Sequence, residues 1–91
     1  MGYRWLLVRL KVLNRKYSPP VKDFPLYVGT EEQYSPRDVL GFLSEKKSEI
    51  ERIFREDRKF PFRILRINGI EFSDATNVAD LYKINLNDLL D

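Results

Sequence analysis

The chain has 91 residues, 16 Lys and Arg against 14 Asp and Glu, 43% hydrophobic residues, and neither cysteine nor histidine. This length bounds it to one small domain, 1–91, with a thin core and stability of several kcal/mol at most. The missing residue types exclude disulfides, thiolate zinc sites, thiol nucleophiles and imidazole acid–base chemistry, and they imply no metal and no cofactor.

Residues 3–14 predict the first strand. Read with a period of two, Leu6, Val8, Leu10 and Val12 form one apolar face. The opposite face carries Tyr3, Trp5, Leu7, Arg9 and Lys11, where a strand buried on one side should be polar. Charge concentrates here too: Arg4, Arg9, Lys11, Arg15, Lys16 and Lys22 fall in the first 22 residues, with no acid among them. Ser18-Pro19-Pro20 then marks a stiff loop. Residues 24–28, FPLYV, predict a short second strand, and Pro25 places it at a sheet edge or marks its start.

Ser35, Pro36 and Asp38 form a helix start: a cap, a proline at the first helical position and a capping-box partner. Leu43, Ile50 and Phe54 share a helical face. The pattern predicts one long helix over 36–57, roughly 33 Å at 1.5 Å per residue. Pro61 separates it from a strand predicted over residues 62–67, and Asn68-Gly69 predicts a hairpin turn with residues 70–72 returning. Near the end, Val78, Leu81 and Tyr82 suggest a single helical turn capped by Thr76 or Asn77. The NLNDLLD segment suits a turn into a last short strand or a frayed helix.

This order predicts an α+β domain: a three- or four-stranded mixed sheet with one long helix packed across it. The stretch RILRINGIEFSD (63–74) and the closing LYKINLNDLLD resemble the corresponding parts of the ubiquitin-like β-grasp fold. The resemblance implies a binding module that uses its sheet face or edge, with the last strand beside the first. Only Leu89, Leu90 and Asp91 remain to build that strand, and no Gly-Gly pair ends the sequence. The family's conjugation and sulfur-transfer activities are therefore not carried over.

The candidate site is the outer sheet face. If Leu65 and Ile67 turn to the helix, then Phe62, Ile64 and Arg66 join Tyr3, Trp5, Arg9 and Lys11 on the other side. Aromatic and arginine anchors with a charged rim suit a protein interface. The expected protein is thus a non-catalytic interaction module, a small accessory subunit of a larger assembly. The bland alternative folds Leu86, Leu89 and Leu90 back over this face, making Trp5 a core residue. A second functional reading puts single-stranded nucleic acid on the same face, with Arg15 and Lys16 holding phosphates.

The charged helix surface reads as solvated, although Phe42 and Ile53, if outside the stripe, would point to a dimer or subunit contact. Glu31-Glu32, Glu56-Asp57 and Asp88…Asp91 read as solvated carboxylates, and the scattered glycines form no phosphate loop. The expectation is therefore not an enzyme. No run of about 18 apolar residues predicts a membrane span, and the lack of cysteine suits the cytoplasm. Charged residues at 33% and a lone glutamine, Gln33, lean towards a thermophilic source.

Overall fold

The computed structural model describes residues 2–74 and 77–90. Two strands open the chain, β1 (Tyr3–Leu13) and β2 (Val21–Glu31). Helices α1 (Pro36–Glu45) and α2 (Lys47–Glu56) follow, then β3 (Arg63–Ser73) and the short β4 (Lys83–Asn85) between two 3-10 turns, Asp80–Tyr82 and Leu86–Leu89. The sheet order is β3-β1-β2-β4. β1 runs antiparallel to both neighbours, whereas β4 pairs in parallel with β2. The result is an α+β fold with a four-stranded mixed sheet and two helices.

β1 forms as its alternation predicts. Leu6, Val8, Leu10 and Val12 are at most 2% exposed. Their partners on β2, Val28, Leu26 and Phe24, lie on the same face by register. β2 is longer than residues 24–28 because it matches β1 residue by residue, from Tyr3 opposite Glu31 to Leu13 opposite Val21. It is also an interior strand for part of its length. β4 pairs only with Tyr27–Gly29, so Pro25 lies on the stretch of β2 beyond its reach, where a missing donor costs least.

The expected single helix is two. Ser35 and Asp38 do form the capping box, each side chain accepting from the other's backbone N–H at 3.1 Å. The break comes at Lys46, whose φ of −115° and ψ of 24° leave the helical region. Val39 and Leu43 of α1 and Ile50 and Phe54 of α2 are all fully buried. Between Leu43 and Ile50 nothing apolar reaches the sheet, so the chain bends at that gap and both short helices lay their own apolar pair on the core.

β3 overturns two further expectations. Asn68-Gly69 is not a hairpin turn, because β3 continues without reversal from Arg63 to Ser73 along β1. The extra residues are absorbed as bulges: the register skips Leu65 and again Asn68. Each bulge resets the alternation, so Ile64, Ile67 and Ile70 pair with Val12, Leu10 and Val8 on the helix side. Phe62 and Ile64, expected on the outer face, are therefore core residues, 8% and 7% exposed, and Leu65, expected inside, is exposed. The rings of Phe24, Phe54 and Phe62 meet at 4.9–5.4 Å between centroids. Glu51 of α2 accepts a hydrogen bond from the Ile64 N–H at 2.7 Å, fastening helix to strand.

At the C-terminal end, Leu86 and Leu89 join the helix-side core, with Leu90 packed against it. The helical turn is Asp80–Tyr82 and starts after Ala79 rather than Asn77. Thr76, the other expected cap, and Asp91, expected in the last strand, lie outside the described residues. β1 is flanked by β2 and β3, so the last strand lies not beside the first but beside β2.

Candidate protein-binding face

The side of the sheet away from the helices is built by alternate residues of all four strands. β1 contributes Tyr3, Trp5, Leu7, Arg9 and Lys11. Opposite them stand Glu31, Gly29, Tyr27, Pro25 and Asp23 of β2. β3 adds Ser73, Glu71, Gly69 and Arg66 beside Trp5, Leu7, Arg9 and Lys11. β4 brings Lys83 and Asn85 beside Tyr27 and Gly29. Cross-strand neighbours share a face, so the register alone assembles this surface.

Its centre is aromatic. Trp5 and Tyr3 meet edge to face, 5.9 Å between ring centroids. Both reach over Gly29: a Cβ there would stand 2.7 Å from the Tyr3 hydroxyl and 2.9 Å from the far edge of the Trp5 indole. The missing side chain is what lets the two rings lie down across β2. The Tyr3 hydroxyl donates to the Asn85 Oδ1, and the Lys83 ammonium sits 5.9 Å from the indole centroid. Tyr3 remains 51% exposed, whereas Leu7 is 9% exposed and stands apart from the main core. Trp5 is half-buried. Burial, then the charges of Asp88 and Glu31, holds the Tyr3 phenol above its ordinary range.

The rim is charged but internally balanced. Arg9 pairs with Glu71 at 2.6 Å, and Lys11 with Asp23 at 2.6 Å. The hydrogen bond donated by Lys11, aided by its charge, holds the Asp23 carboxyl below its usual range. Arg66 is exposed beside Lys11. Arg15 and Lys16 are exposed in the turn beyond the far end of β1. Arg4 faces the other way: its guanidinium donates to the Tyr34 carbonyl at 2.5 Å and stacks 4.8 Å from the Phe72 ring centroid.

Of the residues expected here, the structure brings together Tyr3, Trp5, Arg9, Lys11 and Arg66, and removes Phe62 and Ile64. Sequence reading missed Tyr27, Gly29, Lys83 and Asn85. Tyr27 was within reach, because Phe24, Leu26 and Val28 alternate with it. Lys83 and Asn85 were not, since nothing local marks three residues as a strand. The Leu86, Leu89 and Leu90 side chains that would have sealed the indole are committed to the opposite face. The carboxylates Glu31, Glu32, Glu56, Asp57 and Asp88 are all exposed. No described helix is long and apolar enough to cross a membrane.

Comparison with protein-family models, with curated proteins and with solved structures gave no match.

Proposed function

We propose that the chain is a non-catalytic protein-interaction module, an accessory subunit that docks a partner protein on the face around Tyr3 and Trp5. The observation that carries this reading is the pairing of an aromatic centre with a self-neutralised rim. Tyr3, Trp5 and Tyr27 offer rigid, amphipathic area of the kind that dominates binding energy. Arg9 and Lys11, already held by Glu71 and Asp23, frame it with fixed charge that orients a partner. Arg66 extends the rim. The reading draws on surface composition and not on the β-grasp likeness, because both sides of β1 are occupied by β2 and β3. A cytoplasmic setting accords with the cysteine-free sequence.

The same pairing disfavours single-stranded nucleic acid. A phosphate backbone following Trp5, Arg9, Lys11, Arg15 and Lys16 would have to compete with two carboxylates for two of its cations. The test is Trp5→Ala, with binding of a co-purifying protein and thermal unfolding measured side by side. The expected outcome is lost binding with a retained cooperative transition; unfolding of the variant would remove this site. Titrating the wild type with mixed oligonucleotides at two salt concentrations settles the rival. Tight binding that weakens steeply and log-linearly with salt would favour nucleic acid.

A further inference from the structure

Among the described residues, β3 has a sheet neighbour only on its β1 side. Its other edge has no strand beside it over Leu65–Ser73, and at Ile64 the Glu51 carboxylate of α2 takes the backbone N–H. Two of the four exposed large hydrophobics among the described residues lie on this strand, Leu65 at 44% and Phe72 at 62%. Proteins usually blunt such an edge with charge, bulges or proline; this strand has charges at Arg63, Arg66 and Glu71 and two bulges but no proline, and its charges are arranged to be matched. Its order is self-complementary about the Asn68–Gly69 bond. Reading outwards in both directions, Ile67 meets Ile70, Arg66 meets Glu71, and Leu65 meets Phe72.

We propose that a second copy of this chain pairs with β3, antiparallel and in that register, to make one continuous sheet across a two-fold axis. The faces agree with this pairing. Ile67 and Ile70 both point to the helix side, beside Leu10 and Val8, and Arg66 and Glu71 both point outwards, beside Lys11 and Leu7. The bulges thus bend the strand without misplacing these mates. Each symmetric contact occurs twice: two Arg66–Glu71 pairs, in which Glu71 is shared with Arg9 of its own chain, and two Leu65–Phe72 pairs. A register centred on Glu71 would instead oppose like charges, which is unfavourable. Residues 65–72 make a contact at the small end of specific interfaces, so a weak, reversible dimer is expected.

The test is sedimentation equilibrium of the wild type, of Arg66→Glu, of Glu71→Arg and of an equimolar mixture of the two variants. The wild type should dimerise. Each variant alone sets like charges opposite each other twice and should dimerise about tenfold more weakly or worse. In the mixture each chain supplies what the other lacks, so a heterodimer of near wild-type affinity should return. A wild type that stays monomeric to millimolar concentration, or a mixture no tighter than its components, overturns the proposal. Should either variant fail to fold, Gly69→Cys replaces them, in a chain with no other cysteine. A Cβ at Gly69 meets nothing within 4 Å, and the same holds at Gly41 on α1. Oxidation should cross-link the Gly69→Cys chain much faster than Gly41→Cys, and equal rates overturn the pairing. Trp5→Ala should leave dimerisation unchanged, which keeps this test separate from that of the docking face.

Discussion

Gly29→Ala probes whether the indole lies down on the sheet. The added methyl would stand 2.9 Å from the Trp5 Cη2 and Cζ3 and 2.7 Å from the Tyr3 hydroxyl. Carbon pairs rest at about 3.5–4.0 Å, so the indole must rise by roughly 0.6–1.1 Å. What the methyl meets is the far end of two side chains and not backbone, so the cost should sit at the lower end of overpacking, ~1 kcal/mol. Gly29 has no positive φ, so alanine fits its backbone and restricts the unfolded chain, offsetting about 0.4–1 kcal/mol. The net loss is expected between about zero and ~1 kcal/mol, a fall in Tm of at most about 4–8 °C. The ring nevertheless moves, and Trp5 is the chain's single tryptophan. Its emission maximum should shift to longer wavelength and its quenching by acrylamide should rise, while far-ultraviolet circular dichroism stays unchanged. Identical emission and quenching in a folded variant would show that the indole is not seated on Gly29. A loss of several kcal/mol would show that the ring is clamped from above and not free to lift.

Three other outcomes are expected. Ser35→Ala removes the acceptor of the Asp38 N–H and should cost about 1 kcal/mol in urea unfolding; a change of only a tenth or two would mean that α1 does not depend on its cap. Asn14 is buried, donates to the Pro61 carbonyl at 2.6 Å and accepts from the Lys16 N–H at 2.9 Å. Asn14→Ala strands both backbone groups and should cost about 1–3 kcal/mol, read as a lowered urea midpoint at unchanged slope; an unmoved midpoint would contradict it. Because the Tyr3 phenol is raised in the folded chain, the stability it contributes is fully present below about pH 10 and is lost as pH rises through the folded value. Tyr3→Phe should flatten that alkaline decline in thermal unfolding, and an identical decline in both proteins would refute the assignment.

What the sequence disclosed, it disclosed through local chemistry. Alternation in β1 names its buried face, and Ser35-Pro36-Asp38 marks the start of α1 to the residue. What stayed hidden depends on distant partners. Lys46 has nothing local to stop a helix; the bend follows from where Leu43 and Ile50 must both land on the sheet. Asn68-Gly69 is as compatible with a bulge as with a turn, and the eleven-residue length of β1 beside it decides between them. That decision then propagates, because the residue skipped at Leu65 carries Phe62 and Ile64 from the expected binding face into the core. The surviving face residues, Tyr3, Trp5, Arg9 and Lys11, all sit on the one strand whose parity needs no partner to read, and Arg66 escapes because it lies between the two bulges.

β4 holds only Tyr27–Gly29, and the remainder of that flank carries Pro25. Three residues offer too brief a template for an incoming strand, and the proline withholds a donor. Of the two margins of the sheet, only one can therefore be extended. Two copies joined at β3 would turn their stunted margins outwards, and assembly would stop at a pair instead of running on into a fibre.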